Sequence, residues 1–247
     1  MKHWYMAMRP RVSGDDVMDL NGLEIPIDRD GGYYADPFLL DGYLFFENYD
    51  HVKGVISCLN LNTREFFNVL EEPWHLSYPC VFKDGEDYYM IPEAGLSQEV
   101  TLYKAERWPD KWVKTHTIRS GTAYGDPQIF RYKEKWYLFL TVNDNDLEVW
   151  RSDAVEHGWE QFTFKHELNS RAAGNIFEYQ GKLLRPVQDC TQLYGGAIIF
   201  KELEINESTV KEKEFSRIDP TWAPDLIGTH TFNFDDDYLV LDGKILC

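Results

Sequence analysis

Apolar residues along this chain fall in short runs separated by Gly, Asp or Lys, and one phrase keeps returning. Ala35-Asp36-Pro37-Phe38-Leu39-Leu40 passes through a polar Asp41-Gly42 turn into Tyr43-Leu44-Phe45-Phe46. Degenerate copies follow. They are Tyr78-Pro79-Cys80-Val81-Phe82 with Tyr88-Tyr89-Met90-Ile91-Pro92-Glu93, and Asp126-Pro127-Gln128-Ile129-Phe130 with Trp136-Tyr137-Leu138-Phe139-Leu140. The last two are Gly174-Asn175-Ile176-Phe177-Glu178-Tyr179 with Leu183-Leu184-Arg185-Pro186, and His230-Thr231-Phe232-Asn233-Phe234 with Tyr238-Leu239-Val240-Leu241. An apolar run, a short turn and a second run rich in aromatic and β-branched residues predict a β-hairpin, and the helix period does not fit. With Asp36, Tyr78, Asp126, Gly174 and His230 as equivalent points, the intervals are 42, 48, 48 and 56 residues. That is the length of a four-stranded propeller blade, so the pattern predicts an all-β, five-bladed propeller.

The outer strands are readable too. Third strands are predicted at Val55–Leu59, Val100–Lys104, Leu147–Arg151 and Ala197–Lys201, with fourth strands near Trp112–Lys114, Gln161–Phe164 and Val210–Lys213. The fifth copy stops after its second strand. A ring must close to cover its edges, so segments among the first 30 residues, such as His3–Met8, are expected to join the last blade.

At 247 residues with no Pro/Ser/Gly-rich linker, one domain over 1–247 is the economical reading. No segment has the run of apolar residues a membrane helix needs, which predicts a soluble, cytoplasmic protein without membrane insertion. Cys58, Cys80, Cys190 and Cys247 are scattered without a Cys-x-x-Cys pair, which favours free thiols over disulfides or a metal. No metal or cofactor is expected. Lys plus Arg number 25 against 42 Asp plus Glu, a formal charge of −17 that disfavours nucleic acid and anionic membranes.

In a propeller, residues that start each inner strand and residues that end the next one meet on one face. This gathers Asp36, Tyr78, Asp126, Asn175 and His230 with Glu47, Glu93, Thr141, Arg185 and Asp189. Asp36 and Asp126 each precede a proline, which pushes the preceding residue toward extended geometry and holds each carboxylate toward the axis. Ordinary turn chemistry is the alternative for an Asp-Pro. Converging carboxylates are the kit for glycosyl chemistry, and crowding raises the pKa of at least one. Asp36, Asp126 and Glu93 are therefore the candidate catalytic centre, with Glu47 in reserve; a loop carboxylate capping backbone amides is the alternative for Glu93.

Arg171 and Arg185, with the Asn175 amide, suggest a clamp for a carboxylate, phosphate or sugar diol, or else a buried ion pair that neutralises the neighbouring aspartates. His75 and His230 are candidate donors at the rim, although a lone histidine is more often structural. Tyr33, Tyr34, Trp74, Tyr78, Tyr124 and Tyr194 fall in connections near the expected mouth, where rings stack on sugar faces. No Gly-rich phosphate loop, Gly-x-Ser-x-Gly elbow or His-Glu-x-x-His helix is present.

The Ala-Asp-Pro and Gly-Asp-Pro openings resemble the five-bladed propeller glycosidases of the arabinanase, xylosidase and invertase type. That resemblance implies a base or nucleophile at Asp36 and a supporting Asp126. The fourth-blade region in which arabinanase-type enzymes carry their acid reads Arg171-Ala172-Ala173-Gly174, so Glu93 would have to replace it. Ala35–Phe38, His75–Pro79, Ile91–Glu93, Arg171–Gly174 and Arg185–Cys190, with Tyr194-Gly195-Gly196, are similar to a further family. It is the propeller module N-terminal to the glycosyltransferase domain of plant glucosamine inositolphosphorylceramide transferases. Free-standing bacterial relatives look associated with surface polysaccharide synthesis. Two functions follow as expectations. The first is glycosyl hydrolysis or transfer on a sugar, glycoconjugate or sugar nucleotide, with Arg171, Asn175, Arg185, Asp189, His230, His75, Tyr78 and Tyr194 binding substrate. The second is a non-catalytic glycan-binding or scaffolding module for a polysaccharide-assembly enzyme.

Overall fold

The computed structural model describes residues 2–28, 31–143, 146–166 and 170–246. After β1 (Lys2–Pro10), four antiparallel sheets of four strands follow in chain order. The first holds β2 (Tyr33–Leu40), β3 (Tyr43–Tyr49), β4 (Gly54–Asn60) and β5 (Phe66–Leu70), and the second β6 (Ser77–Asp84), β7 (Asp87–Glu93), β8 (Glu99–Arg107) and β9 (Lys111–Ser120). The third holds β10 (Tyr124–Tyr132), β11 (Lys135–Val142), β12 (Asp146–Ser152) and β13 (Glu160–His166). The fourth holds β14 (Phe177–Tyr179), β15 (Lys182–Asp189), β16 (Ala197–Ile205) and β17 (Val210–Ile218). The predicted third and fourth strands fall within these spans. Among the described residues there is no α-helix, and none long and apolar enough to cross a membrane.

The fifth sheet closes the ring as the pattern requires. β18 (Leu226–Gly228) and β19 (Phe232–Phe234) both pair with β20 (Tyr238–Leu246), and β1 covers the other edge of β20 from Lys2↔Leu246 to Pro10↔Tyr238. Beyond β1, the described residues of the N-terminal segment add a bridge, Met8↔Glu24. Clusters of apolar side chains fill the spaces between blades; Phe38, Phe45, Ile56, Leu102 and Leu138 are fully buried in one, and Phe200, Phe232 and Leu241 in another. Cys58, Cys80 and Cys190 are free thiols, and Cys247 lies outside the described residues.

One local feature aims the inner strands. The pairing slips between Ala35 and Phe38, between Ser77 and Cys80, and between Gly125 and Gln128, so each X-Pro sits in a bulge. Asp36, Tyr78 and Asp126 take φ values of 53°, 45° and 35° rather than the extended geometry expected before proline. A left-handed non-glycine residue costs about 1–2 kcal/mol, and the bulge it permits turns the side chain out of the strand's pleat.

The channel is plugged midway by hydrogen bonds between blades. Tyr78 Oη accepts from Gly174 N at 2.8 Å and donates to Gly174 O at 3.2 Å. Gln128 Nε2 donates to Gly174 O and Pro186 O, and Asn233 Nδ2 donates to Pro37 O. Gly174 is obligatory: its φ is +121°, and a Cβ there would stand 1.9 Å from Phe232 O.

Candidate functional site

Above the plug, the bulges and the ends of the second strands bring five carboxylates together. Ala35↔Glu47 and Ser77↔Glu93 are paired neighbours, so Glu47 and Glu93 end their strands beside Asp36 and Tyr78. Asp242 joins them from the fifth blade, one register position before the Glu47 place, with its N–H donating to Thr231 O.

Asp36 is buried. Its Oδ1 accepts from the Thr231 hydroxyl at 2.9 Å, its Oδ2 from Tyr78 N at 3.2 Å, and His230 Nε2 lies 3.7 Å from Oδ1. His230 is itself gripped: Nδ1 is 2.6 Å from Asp242 Oδ2, and Trp4 of β1 stacks on the ring at 3.7 Å between centroids. Asp242 also accepts backbone N–H bonds from Asp36, His230 and Thr231. Burial raises the Asp36 carboxyl, the His230 charge opposes that, and Asp242 reinforces it. For His230 burial acts downward, but the Asp242 and Asp36 charges prevail and its pKa is raised.

On the neighbouring side, Arg171 binds two carboxylates at once. Its Nη2 is 2.6 Å from Glu93 Oε2 and its Nε is 2.6 Å from Asp126 Oδ2. Glu93 Oε2 also accepts from Asp126 N at 2.9 Å, and Gln188 Nε2 donates to Asp126 Oδ2 at 2.7 Å. Burial opposes ionisation of Glu93, yet the Arg171 charge and the bonds from Asp126 hold it down at about 2. Asp126 goes the other way, pushed well up by burial and by the Glu93 charge despite Arg171. The downward direction at Glu93 runs against the expected acid role, because a proton donor near neutrality needs a raised pKa.

Glu47 meets that requirement. It is 5% exposed, and burial lifts it to about 7 even though His75 Nε2 lies 3.1 Å away. His75 Nδ1 accepts from Gly54 N at 2.9 Å, and the Glu47 interaction outweighs burial to raise the imidazole. His75 and Tyr194 line the rim; Tyr194 is 46% exposed, with the Arg171 guanidinium over its ring at 5.4 Å.

Four other expected site residues lie elsewhere. Arg185 is fully buried between blades, with Nε 2.7 Å from Glu212 Oε1 and its Nη atoms on Gln128 and Ser170, so it does not reach the mouth. Asp189 turns to Thr191 and Arg217. Both fail for one reason: alternate residues on a strand face opposite sides, and Gln188 is the residue of β15 that points at Asp126. The pairing Ala172↔Val187 sets this register. Tyr78 is wholly buried in the plug. Asn175 lines a pocket of about 320 Å³ at the opposite end, with Phe82, Ile129, Phe177 and Phe234.

Sequence reasoning missed Asp242, Gln188, Thr231 and Trp4. Asp242 stands where the first blade has Phe46, so the repeat does not mark it, and Trp4 carries no repeat signal either. Asp36, His230 and Asp242 form a trio whose ligand atoms lie within 4.8 Å of one another. Those atoms bond one another and nearby amides, so the trio fits a hydrogen-bonded network better than a metal ligand set.

Comparison with known proteins places this geometry. Residues 28–221 match the family model described as glucosamine inositolphosphorylceramide transferase 1, N-terminal. Glucosamine inositolphosphorylceramide transferase 1 of Oryza sativa subsp. japonica is 32% identical over 212 residues, covering 74% of this chain. This chain spans only 28% of that relative's length. Among solved structures, a GH32 beta-fructofuranosidase of Bombyx mori superposes with a TM-score of 0.59 at 15% identity, over 89% of this chain and 61% of that one. A family 117 glycoside hydrolase of Zobellia galactanivorans gives 0.58 at 12% identity, over 97% and 90% of the two chains. At such identities these structures share the fold. The sequence matches go further: the chain belongs to the family of the N-terminal region of glucosamine inositolphosphorylceramide transferase 1.

Proposed function

We propose that this protein recognises a sugar or glycoconjugate at the axial mouth, as a glycan-binding module of surface glycan metabolism in the cytoplasm. The observation that carries the reading is the Arg171 bridge. A guanidinium closed on Glu93 and Asp126 ties both carboxyl groups into one buried network, which fixes their oxygens in place for hydrogen bonding to a ligand rather than leaving them free to attack. Partly exposed Tyr194 and His75 supply an aromatic and a polar edge at the rim. Five carboxylates at this mouth, on a chain of charge −17, favour neutral or amino sugars over anionic ones. The rice relative's name carries glucosamine, and the fold neighbours carry glycoside hydrolase names, which supports a sugar ligand. A polysaccharide-assembly enzyme is the partner such a module would serve.

A second reading, glycosyl hydrolysis or transfer, is favoured by one observation. Asp36 and Glu47 have no arginine partner among the described contacts, and Glu47 at about 7 is poised to donate. In that case Asp36 is the base and Glu47, not Glu93, is the acid.

A thermal-shift screen of wild type and Asp36→Asn against neutral sugars, amino sugars and sugar nucleotides tests both readings, because a ligand stabilises the folded state by mass action. Stabilisation by a sugar that Asp36→Asn loses is the expected result. No stabilisation by any sugar would overturn the binding reading. Turnover of a bound glycoside that disappears in Glu47→Gln would replace it with the enzymatic one.

A further inference from the structure

Asp36 lies between two histidine–carboxylate pairs, and their hydrogen bonds fix where protons sit. On one side Asp242 already accepts three backbone N–H groups, so it meets His230 Nδ1, 2.6 Å away, as an acceptor. Nδ1 must therefore donate, and Nε2 is the nitrogen turned toward Asp36, 3.7 Å from Oδ1. On the other side His75 Nδ1 accepts from Gly54 N, so its proton is on Nε2 and faces Glu47 at 3.1 Å. Glu47 is next to Asp36 across the β2–β3 ladder, and its charge acts on both Asp36 and His230.

We propose that Asp36 and His230 share one mobile proton across their 3.7 Å ion pair, that Asp242 is the positioning residue that holds His230 for it, and that the neighbouring Glu47–His75 pair titrates in step with them. The proposal deepens the sugar-site reading: Asp36 presents an ionised acceptor to a ligand while His230 holds the proton, and a protonated carboxyl when His230 gives it up. Every other group packed here is compatible. Trp4 stacks on the His230 ring without charge, Tyr194 meets it edge-on at 5.7 Å, and Lys244 is turned to Tyr194 O and the Trp4 face. Thr231 donates to Asp36 Oδ1, Glu93 and Asp126 are both tied to Arg171, and Tyr33 has its phenol raised by burial and by the Glu47 and Asp36 charges.

The test needs no ligand, so its failure and the failure of the sugar reading are separate events. Imidazole 15N resonances of the whole protein, assigned with His75→Gln and His230→Gln, are followed across the neutral pH range in wild type, Asp36→Asn, Glu47→Gln and Asp242→Asn. A shared proton predicts that Asp36→Asn lowers the His230 midpoint by about one unit, a tenfold change, and shifts His75 in the same direction through loss of the Asp36 charge that raises it. Glu47→Gln should likewise lower the His230 midpoint, and this variant serves if Asp36→Asn does not fold. Asp242→Asn should release the Nδ1–H tautomer of His230. A purely structural role for these contacts would leave the midpoints independent. Two histidines that titrate independently, with His230 unmoved in Asp36→Asn and in Glu47→Gln, would overturn the proposal.

Discussion

Replacing Arg171 by Met removes the charge between Glu93 and Asp126 while keeping much of the side-chain volume. Glu93 is held at about 2 against an ordinary 4.5. At about 1.36 kcal/mol per pH unit, that gap is worth about 3 kcal/mol of folding stability at pH 7. An independent expectation agrees, since breaking a buried ion pair by removing one partner costs about 3–5 kcal/mol. The sign follows from the direction: a lowered carboxylate contributes fully above its unfolded value of 4.5, and the contribution fades as pH falls toward 2. Arg171→Met should therefore cost about 3 kcal/mol at pH 7 and clearly less near pH 3. Urea unfolding at both pH values, with the same m-value in each protein, measures this directly. A cost below about 0.5 kcal/mol at pH 7, or an equal cost at both, would refute the account of Arg171 as the clamp on this pair.

Glu47 has the opposite sign. Raised from 4.5 to about 7, it should make wild type lose about 3 kcal/mol as pH rises through that window, with His75 adding in the same direction; Glu47→Gln should flatten the slope, and an unchanged slope of urea stability against pH would count against the shift. Gly174→Ala drives a Cβ to 1.9 Å from Phe232 O in a left-handed backbone, so a loss above about 3 kcal/mol is expected in thermal or urea unfolding, and a near-native midpoint would remove the steric argument for the plug. Deleting residues 2–10 exposes the whole edge of β20, and a melting temperature equal to that of the full chain would show that β1 does not close the ring.

The fold was legible because its information is local and repeated. Each hairpin announces itself by its own apolar runs, and the spacing of the copies gives the blade count without any long-range contact being known. The site was legible where it follows the repeat: Asp36, Asp126, Glu47 and Glu93 are all repeat positions. It failed where register had to be known to the residue. In the fourth blade the copy anchored at Gly174, whereas Ala172↔Val187 is the pairing that sets the register, and on a strand an odd error turns Gln188 into Asp189 or Arg185. Protonation was the other blind spot. Glu93 and Glu47 occupy equivalent places, and their surroundings separate them: the arginine beside Glu93 holds one carboxyl down, while burial lifts the other despite His75. No local pattern reports which cation will arrive from a blade 78 residues away.

The fifth sheet is assembled from both ends of the chain, and this orders the molecule in time as well as in space. Trp4 and Asp242, which together fix His230, are separated by almost the entire sequence and come together only when β1 zips onto β20. During synthesis the first blades can form their own hairpins with Asp36, Glu93 and Asp126 in place, yet the half of the mouth built on His230 must wait for the final strand. The histidine side of the site is thus a readout of ring closure: a chain whose His230 senses Asp36 is a chain whose circle is complete.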